Sequence, residues 1–193
     1  MSKTYPNATN LVKCDSKRFY YFWKETDEFG KSYHPIFSNF TELPQKIKMI
    51  FKFDGIDTEI LFHNSEAAFH ATKAYLFDPT GEEFKKLQET SSPLQAKKIG
   101  RKIKNFNQKK WDQQKYKLMY QVLKAKFTQF KSFKKALFDV QEDYFVEASP
   151  YDSVWGIGMG ANNSQIKYGP IKWKGENLLG KALTNLRVEL LKK

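Results

Sequence analysis

The stretch NSEAAFHATKA, residues 64–74, predicts the helix on which the rest of the chain depends. Its first two side chains can accept hydrogen bonds from the free amides of a first helical turn. Glu66, His70 and Lys73 follow at helical spacing and therefore share one face. A carboxylate, an imidazole and an amine in one row suit acid, base or imine chemistry. The alternative is that these residues form a solvated polar face with an i,i+4 pair. If only this helix is considered, the polar-face interpretation is favoured, because charged rows on helices usually lie at the surface.

The helices that follow are marked by ordinary start and stop signals. A second helix is predicted over residues 82–89, after the Asp-Pro-Thr-Gly breaker at 78–81. Ser92 followed by Pro93 predicts the start of a third helix that reaches about Gly100. A long fourth helix is expected from near Asn107 and a last one from near Asn177. The two apolar stripes are Tyr116, Met119, Tyr120, Leu123, Phe127 and Phe130, then Leu179, Ala182, Leu183, Leu186 and Leu190.

Strands are predicted on both sides of this helical middle. Residues 19–23 and 144–148 are rich in aromatic and apolar side chains, which favour strands, and a turn is expected at 27–31. Residues 47–53 and 56–62 alternate and are joined by Asp-Gly, a strong hairpin signal. No βαβ alternation is present. The predicted class is therefore α+β, with a helix-rich middle and a small sheet formed by the N-terminal strands and one late strand.

The composition is that of one folded domain. The chain has 193 residues, 40% hydrophobic and 16% aromatic, so a single domain over 1–193 is expected, with about residues 1–15 loosely ordered. No apolar run of about 18 residues occurs, so no membrane span is expected, and residues 1–7 have no apolar core of the kind expected of a secretory signal. Cys14 is the only cysteine. An internal disulfide and a cysteine-based zinc site are excluded, and a cytoplasmic setting is expected.

The formal charge of +12 comes from 33 Lys and Arg against 21 Asp and Glu. A field of this sign attracts polyanions such as nucleic acid or nucleotides, so nucleic-acid binding through a basic surface is one interpretation. Scattered lysines also serve simple solubility, and the sequence weighs the two interpretations evenly.

Two further stretches have the composition of a binding site. In Phe37-Ser38-Asn39-Phe40, two aromatic rings enclose two small polar residues, which suits stacking on a base and donation to a phosphate. The alternative is a turn held by two buried phenylalanines. In residues 145–158, a strand that ends in a carboxylate is followed by a second carboxylate, a tryptophan and glycines, a common way to hold a site at a rigid edge.

Single residues allow two interpretations each. Trp111 is either a platform for a base or a core anchor. Asn177 suits the N-cap of the last helix, and Arg187 suits a salt bridge or a phosphate contact. No metal or cofactor is expected, because His34, His63 and His70 lack ligand spacing and neither a P-loop nor a dinucleotide fingerprint occurs.

Taken in order, these segments resemble the NADAR family, also called YbiA-like, over about residues 37–190. The matching segments are 37–40; Ser65-Glu66 with Lys73; 91–93; Gly100-Arg101; Trp111; Met119; 126–129; Val146-Glu147; Asp152 with Trp155-Gly156; and Asn177 with Leu179-Gly180, Leu183 and Arg187. Each segment is short, but the order and spacing are specific. The chain departs from the family at Thr184, where many members have Met, and in a longer insert around residues 162–173, which bears on specificity.

The resemblance implies a compact α+β enzyme that hydrolyses N-glycosidic bonds. One associated activity removes ADP-ribose from the amino group of guanine in nucleic acid or nucleotide. The other cleaves ribosylamine intermediates of riboflavin synthesis. The expected catalytic residues are Glu66, Lys73 and Asp152. The expected substrate contacts are Phe37, Ser38, Asn39, Phe40, Arg101, Trp111, Glu147, Trp155, Gly156 and Asn177.

Two routes of hydrolysis fit these residues. In one, a carboxylate stabilises an oxocarbenium-like centre and directs water. In the other, Lys73 forms a Schiff base with the sugar, which requires that burial or a neighbouring cation lower the pKa of its ammonium. Two non-catalytic alternatives are a reader of ADP-ribose or NAD, which needs the pocket but not the titratable row, and a basic nucleic-acid-binding protein whose binding survives loss of Glu66.

Overall fold

The computed structural model describes residues 17–23 and 35–192. The strands are β1 (Phe19–Phe22), β2 (Ile47–Phe53), β3 (Ile56–Phe62) and β4 (Tyr144–Glu147). The α-helices are α1 (Ser65–Phe77), α2 (Glu82–Glu89), α3 (Pro93–Gly100), α4 (Gln108–Gln129), α5 (Lys131–Asp139) and α6 (Leu178–Leu191). Short 3-10 helices cover Pro35–Phe37 and Ile166–Lys172. The predicted turn at 27–31, the start predicted to be loose, Cys14 and His34 lie outside the described residues.

The α+β class is confirmed, and the strands are divided between two sheets. β1 pairs with β4 in parallel, whereas β2 and β3 form an antiparallel hairpin of their own. The late strand therefore joins only the first of the N-terminal strands. α5 follows α4 directly and was not predicted. In the described part of the chain, no helix is both long and apolar enough to cross a bilayer.

Contacts between residues divide the chain into two compact units. The helical unit is Ile36–Lys135, and the terminal unit comprises Met1–Pro35 and Ala136–Lys193.

In the helical unit, the hairpin and the first helix follow from local sequence signals. Asp54 and Gly55 both have positive φ, 49° and 83°, as a tight two-residue turn between twisted strands requires. Residues of β2 alternate between buried and exposed, so one face of the hairpin joins the core. Asn64 caps α1 by accepting a hydrogen bond from Ala67 N at 2.8 Å. Both predictions are confirmed.

The first helix, α1, is the centre of the helical unit. It packs against α2, α3, α4 and both strands of the hairpin. Ala67, Ala71 and Ala74 are fully buried, and their small side chains allow the neighbouring elements to approach closely. The same helix buries Glu66, so the packing of α1 holds a carboxylate inside the unit.

In the terminal unit, α6 packs against β4 and presents the predicted apolar stripe to the core. Arg187 on this helix donates to the carbonyl oxygens of Val140, Glu142 and Asp143 at 2.7–2.9 Å. Its guanidinium therefore satisfies backbone carbonyls at the approach to β4. Burial lowers the pKa of Arg187.

Replacing Gly180 by alanine is expected to lower the free energy of unfolding by about 3 kcal/mol. A Cβ at Gly180 would lie 2.2 Å from the carbonyl oxygen of Phe145, which belongs to the β4 backbone and cannot rotate away. At an unhindered helix position, the same change stabilises by about 1 kcal/mol. Urea denaturation measures the effect. Gly160→Ala is the control, because its new Cβ would meet only the side-chain oxygen of Asn162, at 3.1 Å. Equal stability of Gly180→Ala and wild type would contradict this packing.

Candidate active site

The row predicted on α1 is present and largely buried. The side chains of Glu66 and His70 are only 10% and 12% exposed, and His70 Nε2 lies 3.2 Å from Glu66 Oε1. The interpretation of this face as a solvated polar surface is therefore wrong for these two residues. A buried carboxylate with a hydrogen-bonded imidazole is typical of a site where proton transfer takes place.

Lys73, one turn further on, lies among aromatic rings. Its Nζ donates to the carbonyl oxygen of Gly100 at 2.9 Å and lies 4.4 Å from the ring centroid of Phe106 and 5.5 Å from that of Trp111. Burial lowers the pKa of the Lys73 ammonium. Desolvation outweighs the stabilisation that the carbonyl oxygen and the π-faces give the ammonium, so the Lys73 ammonium loses its proton more readily than that of an exposed lysine.

Trp111 lies in the first turns of α4, half-buried, and packs against Phe69 of α1 with 5.5 Å between ring centroids. It serves at once as a core contact and as one wall beside Lys73. Arg101 is exposed at the C-terminal end of α3, next to the carbonyl that Lys73 binds.

A strongly basic segment surrounds this end of α3. Residues 90–111 contain no carboxylate and seven cations, which are Lys97, Lys98, Arg101, Lys102, Lys104, Lys109 and Lys110. All but Lys97 are exposed. An open pocket of about 330 Å³ lies here, lined by Leu76, Phe77, Asn105, Asn107, Lys109, Lys110 and Gln113. Phe77 packs edge-on against Phe106, the ring that Lys73 contacts, so the pocket lies close to the row on α1.

The loop 37–40 is divided between core and site. Phe37 is fully buried and stacks on Phe127 with 6.0 Å between centroids, as the turn interpretation expects. Ser38 Oγ accepts from Phe40 N at 3.1 Å and shapes the turn. Asn39 donates through Nδ2 to Met119 Sδ at 3.3 Å, and its buried Oδ1 has no hydrogen-bond partner among the described residues. Phe40 is only partly buried.

Lys126 on α4 is a residue to which the sequence reasoning gave no role. It is fully buried, its Nζ donates to Ser38 O at 2.7 Å, and no described carboxylate pairs with it. Complete burial lowers its pKa to about 7. It lies seven residues after Met119, on the stripe predicted to be buried, and this spacing was the signal that a lysine enters the core there.

The remaining predicted residues lie in the terminal unit. Asp152 Oδ1 accepts hydrogen bonds from Val154 N at 2.9 Å and Trp155 N at 2.7 Å, which fixes the loop after β4. Gly156 is required by close approach, since a Cβ there would lie 2.9 Å from the carbonyl oxygens of Asp152 and Glu147. Trp155 is partly buried.

Asn177 joins β4 to the start of α6. It has a left-handed backbone, with φ of 55°, and its side chain makes no cap. Instead its amide accepts from Glu147 N at 2.9 Å and donates to Phe145 O at 3.0 Å. The predicted position at the helix start is confirmed, whereas the predicted cap is replaced by this bridge, because α6 begins directly beside the strand.

The candidate residues therefore form two groups, each held within its own unit. The helical unit brings together Glu66, His70, Lys73 and Trp111. The loop 37–40 belongs to the same unit and contacts α4 through Asn39. Glu147, Asp152, Trp155, Gly156 and Asn177 are clustered in the terminal unit. The convergence of Asp152 with Glu66 and Lys73 stays a prediction. Among the described residues, no three His, Cys, Asp or Glu side chains are grouped as metal ligands.

Comparison with known proteins places the chain among N-glycosidases. N-glycosidase R617 of Acanthamoeba polyphaga mimivirus is 37% identical over 126 residues, covering 65% of this chain and 73% of R617. N-glycosidase YbiA of Escherichia coli (strain K12) is 30% identical over 169 residues, covering 88% and 86%. The NMR structure of E. coli YbiA matches with a TM-score of 0.63 at 25% identity, covering 98% of this chain and 94% of that one. Riboflavin biosynthesis protein PYRR, chloroplastic, of Zea mays is 29% identical over 192 residues, covering 96% of this chain and 26% of PYRR.

These similarities, which extend over most of the chain, make the protein an enzyme of the N-glycosidase class. The NADAR domain profile matches residues 21–191. The chain belongs to the NADAR family.

Proposed function

We propose that this N-glycosidase hydrolyses the bond between ribose C1 and an exocyclic amine, and that its substrate is guanine carrying ADP-ribose on its amino group. The observation that carries the proposal is the row on α1, in which a buried Glu66–His70 pair precedes a half-buried Lys73 whose pKa is lowered by burial. A glycosylamine opens to an imine at C1, and an uncharged amine is the group that adds to an imine.

The proposed reaction passes through a Schiff base. The neutral Lys73 amine adds to C1 of the ring-opened sugar, the C1–N bond to guanine breaks, and guanine leaves with its amino group restored by a proton. Water then adds to the C1=N bond of the Lys73 imine and releases ADP-ribose, which regenerates the amine. The Glu66 carboxylate carries the proton between these steps. The sum is one water consumed for one N-glycosidic bond broken.

Groups around the row suit the rest of an ADP-ribosyl substrate. Arg101 and the basic segment 97–110 can form charge-assisted hydrogen bonds with the pyrophosphate oxygens. This segment includes Gly100, whose carbonyl oxygen accepts from Lys73 Nζ. Trp111 and Phe40 offer partly buried ring faces for stacking. The buried Oδ1 of Asn39 is an acceptor suited to a base or ribose donor. Asp152 and Trp155 remain proposed partners from the terminal unit.

A second substrate class is a ribosylamine intermediate of riboflavin synthesis. It is favoured by one observation, the similarity to the maize protein whose name refers to riboflavin biosynthesis. The chemistry at C1 is the same for both classes, since each joins ribose to an amine that can open to an imine.

Incubating the protein separately with ADP-ribosylated guanosine and with a ribosylamine intermediate decides between the two substrates. Release of free ADP-ribose from the first, measured by chromatography, is the expected outcome. Cleavage of the second alone would move the assignment to the riboflavin class. Binding of ADP-ribose without cleavage of either would support a non-catalytic reader.

Glu66→Gln and Asp152→Asn are each expected to lower turnover of ADP-ribosylated guanosine by about 100-fold or more while the protein stays folded. Glutamine at 66 keeps the size of the side chain but cannot carry a proton. Asparagine at 152 retains the oxygen that accepts from Val154 N and Trp155 N. Steady-state rates and thermal melting are measured together, with Glu89→Gln, at an exposed position of α2, as control. Full activity in either variant would remove that carboxylate from the mechanism.

A further inference from the structure

We infer that His70 is the positioning residue of this site, and that Gly100 is what allows it to act. On the proposed function, Glu66 moves protons while Lys73 reacts, and His70 orients Glu66. His70 was noted in the sequence only as a member of the row. The structure assigns it two contacts and one ring nitrogen without a hydrogen-bond partner among the described residues, and these three features together define its protonation and its task.

The first contact is with the carboxylate. His70 Nε2 lies 3.2 Å from Glu66 Oε1, and both side chains are nearly nine-tenths buried. Among the described residues, no other side chain or backbone group forms a hydrogen bond with the Glu66 carboxylate. The imidazole therefore fixes one oxygen of Glu66 and leaves the other for water or substrate.

The second contact is with the end of α3. A Cβ at Gly100 would lie 2.1 Å from His70 Nδ1, 2.4 Å from Cγ and 2.6 Å from Cε1, so the imidazole ring occupies the space that any other residue at 100 would fill. The carbonyl oxygen of Gly100 accepts the hydrogen bond from Lys73 Nζ at 2.9 Å. One backbone residue thus supports both the ring that orients Glu66 and the amine proposed to react.

The third feature is the other ring nitrogen. His70 Nδ1 is buried and has no hydrogen-bond partner among the described residues. A proton on Nδ1 would be a buried donor without an acceptor, which is costly, whereas a carboxylate oxygen needs a donor from Nε2. The contacts therefore assign the neutral tautomer with its proton on Nε2. A neutral donor orients Glu66 without placing a second positive charge beside Lys73, so the lowered pKa of Lys73 is preserved.

Two substitutions of His70 separate orientation from packing. His70→Leu is expected to lower kcat on ADP-ribosylated guanosine by about 100-fold with little change in KM, since misplacing a catalytic group by about 1 Å costs that much. His70→Gln, whose side-chain N–H still reaches a carboxylate one turn away, is expected to keep kcat within about threefold of wild type. Equal loss in both variants would overturn the inference and leave the ring as a packing element.

Gly100→Ala is the matched test from the other side of the contact. Its Cβ displaces the imidazole, so kcat is expected to fall as far as in His70→Leu. In His70→Ala the space is empty, and adding Gly100→Ala is expected to cause no further loss. Additive losses in the double variant would show that Gly100 acts independently of His70 and contradict the inference.

A readout that needs no substrate keeps this test apart from the proposed function. Long-range ¹H–¹⁵N correlation spectra report the tautomer of each histidine, and His70→Gln assigns the signal of His70. The neutral form with its proton on Nε2 is expected. A proton on Nδ1 would overturn the inference even if the enzyme is fully active. If the wild-type protein releases no ADP-ribose but His70 shows the expected tautomer, the substrate assignment has failed and the contact stands.

Discussion

Lys73→Arg is expected to lower the turnover of ADP-ribosylated guanosine by about 1,000-fold or more, the largest effect of any change in this site. Arginine retains the positive charge and can still contact the Gly100 carbonyl and the ring of Phe106. It remains protonated at any working pH, however, so it cannot form an imine. Treatment with borohydride during turnover is expected to trap a covalent sugar adduct in the wild-type protein and none in Lys73→Arg.

The pH dependence of adduct formation is a second test of the role of Lys73, because the sign of the pH effect is predicted. Because burial lowers the pKa of Lys73, the reactive neutral fraction is larger than for an exposed lysine and rises as pH rises towards that pKa. Single-turnover rates are therefore expected to increase with pH and then level off. Lys117→Met is the control, since Lys117 is exposed on α4. This substitution is expected to leave the rate and the trapping unchanged. Full turnover without an adduct in Lys73→Arg would leave direct attack by water as the route.

Lys126→Met is expected to stabilise the protein at pH 7 and to remove a pH dependence that the wild type shows. Lys126 Nζ is fully buried with the carbonyl oxygen of Ser38 as its hydrogen-bond partner, and the rings of Phe127 and Phe133 lie 5.5 Å away. Burial lowers the pKa of Lys126 from 10.5 to about 7 in the folded protein. Methionine fills similar volume without a charge, and Ser38 O retains a contact from Thr41 N at 3.4 Å.

The sign of the effect follows from proton uptake on unfolding. Between pH 7 and 10.5, the unfolded chain holds a proton on Lys126 that the folded protein does not, so the free energy of unfolding rises with pH. Below about pH 7 both states are protonated and the full cost of burial remains. The slope is at most about 1.4 kcal/mol per pH unit. Wild type is therefore expected to gain about 2 kcal/mol relative to Lys126→Met between pH 7 and pH 9.

Urea denaturation of both proteins at a series of pH values measures this difference. Lys117→Met on the same helix is the matched control and is expected to follow the wild type at every pH. Parallel curves for wild type and Lys126→Met would show that Lys126 stays protonated in the fold. In that case the carbonyl and the two rings would be sufficient to hold a buried ammonium.

Features encoded within a few neighbouring residues were predictable from the sequence. The hairpin at Asp54-Gly55 depends on two residues that tolerate positive φ, and the start of α1 depends on the Asn64 cap. Pro93 marks the start of α3 for the same local reason. The stripes of α4 and α6 were found because burial of a helix face leaves a period in the sequence. The helix α5, nine residues long after a one-residue break at Phe130, lacked such signals and was missed.

By itself the sequence determined every α-helix except α5, the hairpin, and the row of Glu66, His70 and Lys73, since these depend on spacing along one element. Only the tertiary structure decided how each group is solvated and what it contacts. It brings Gly100 against His70 and Lys73, and it buries Lys126. It also pairs β1 with β4 in parallel, although Phe19 and Tyr144 are distant in the chain. Such contacts join residues far apart in sequence, and burial, which sets the pKa values, is a property of all the neighbours together.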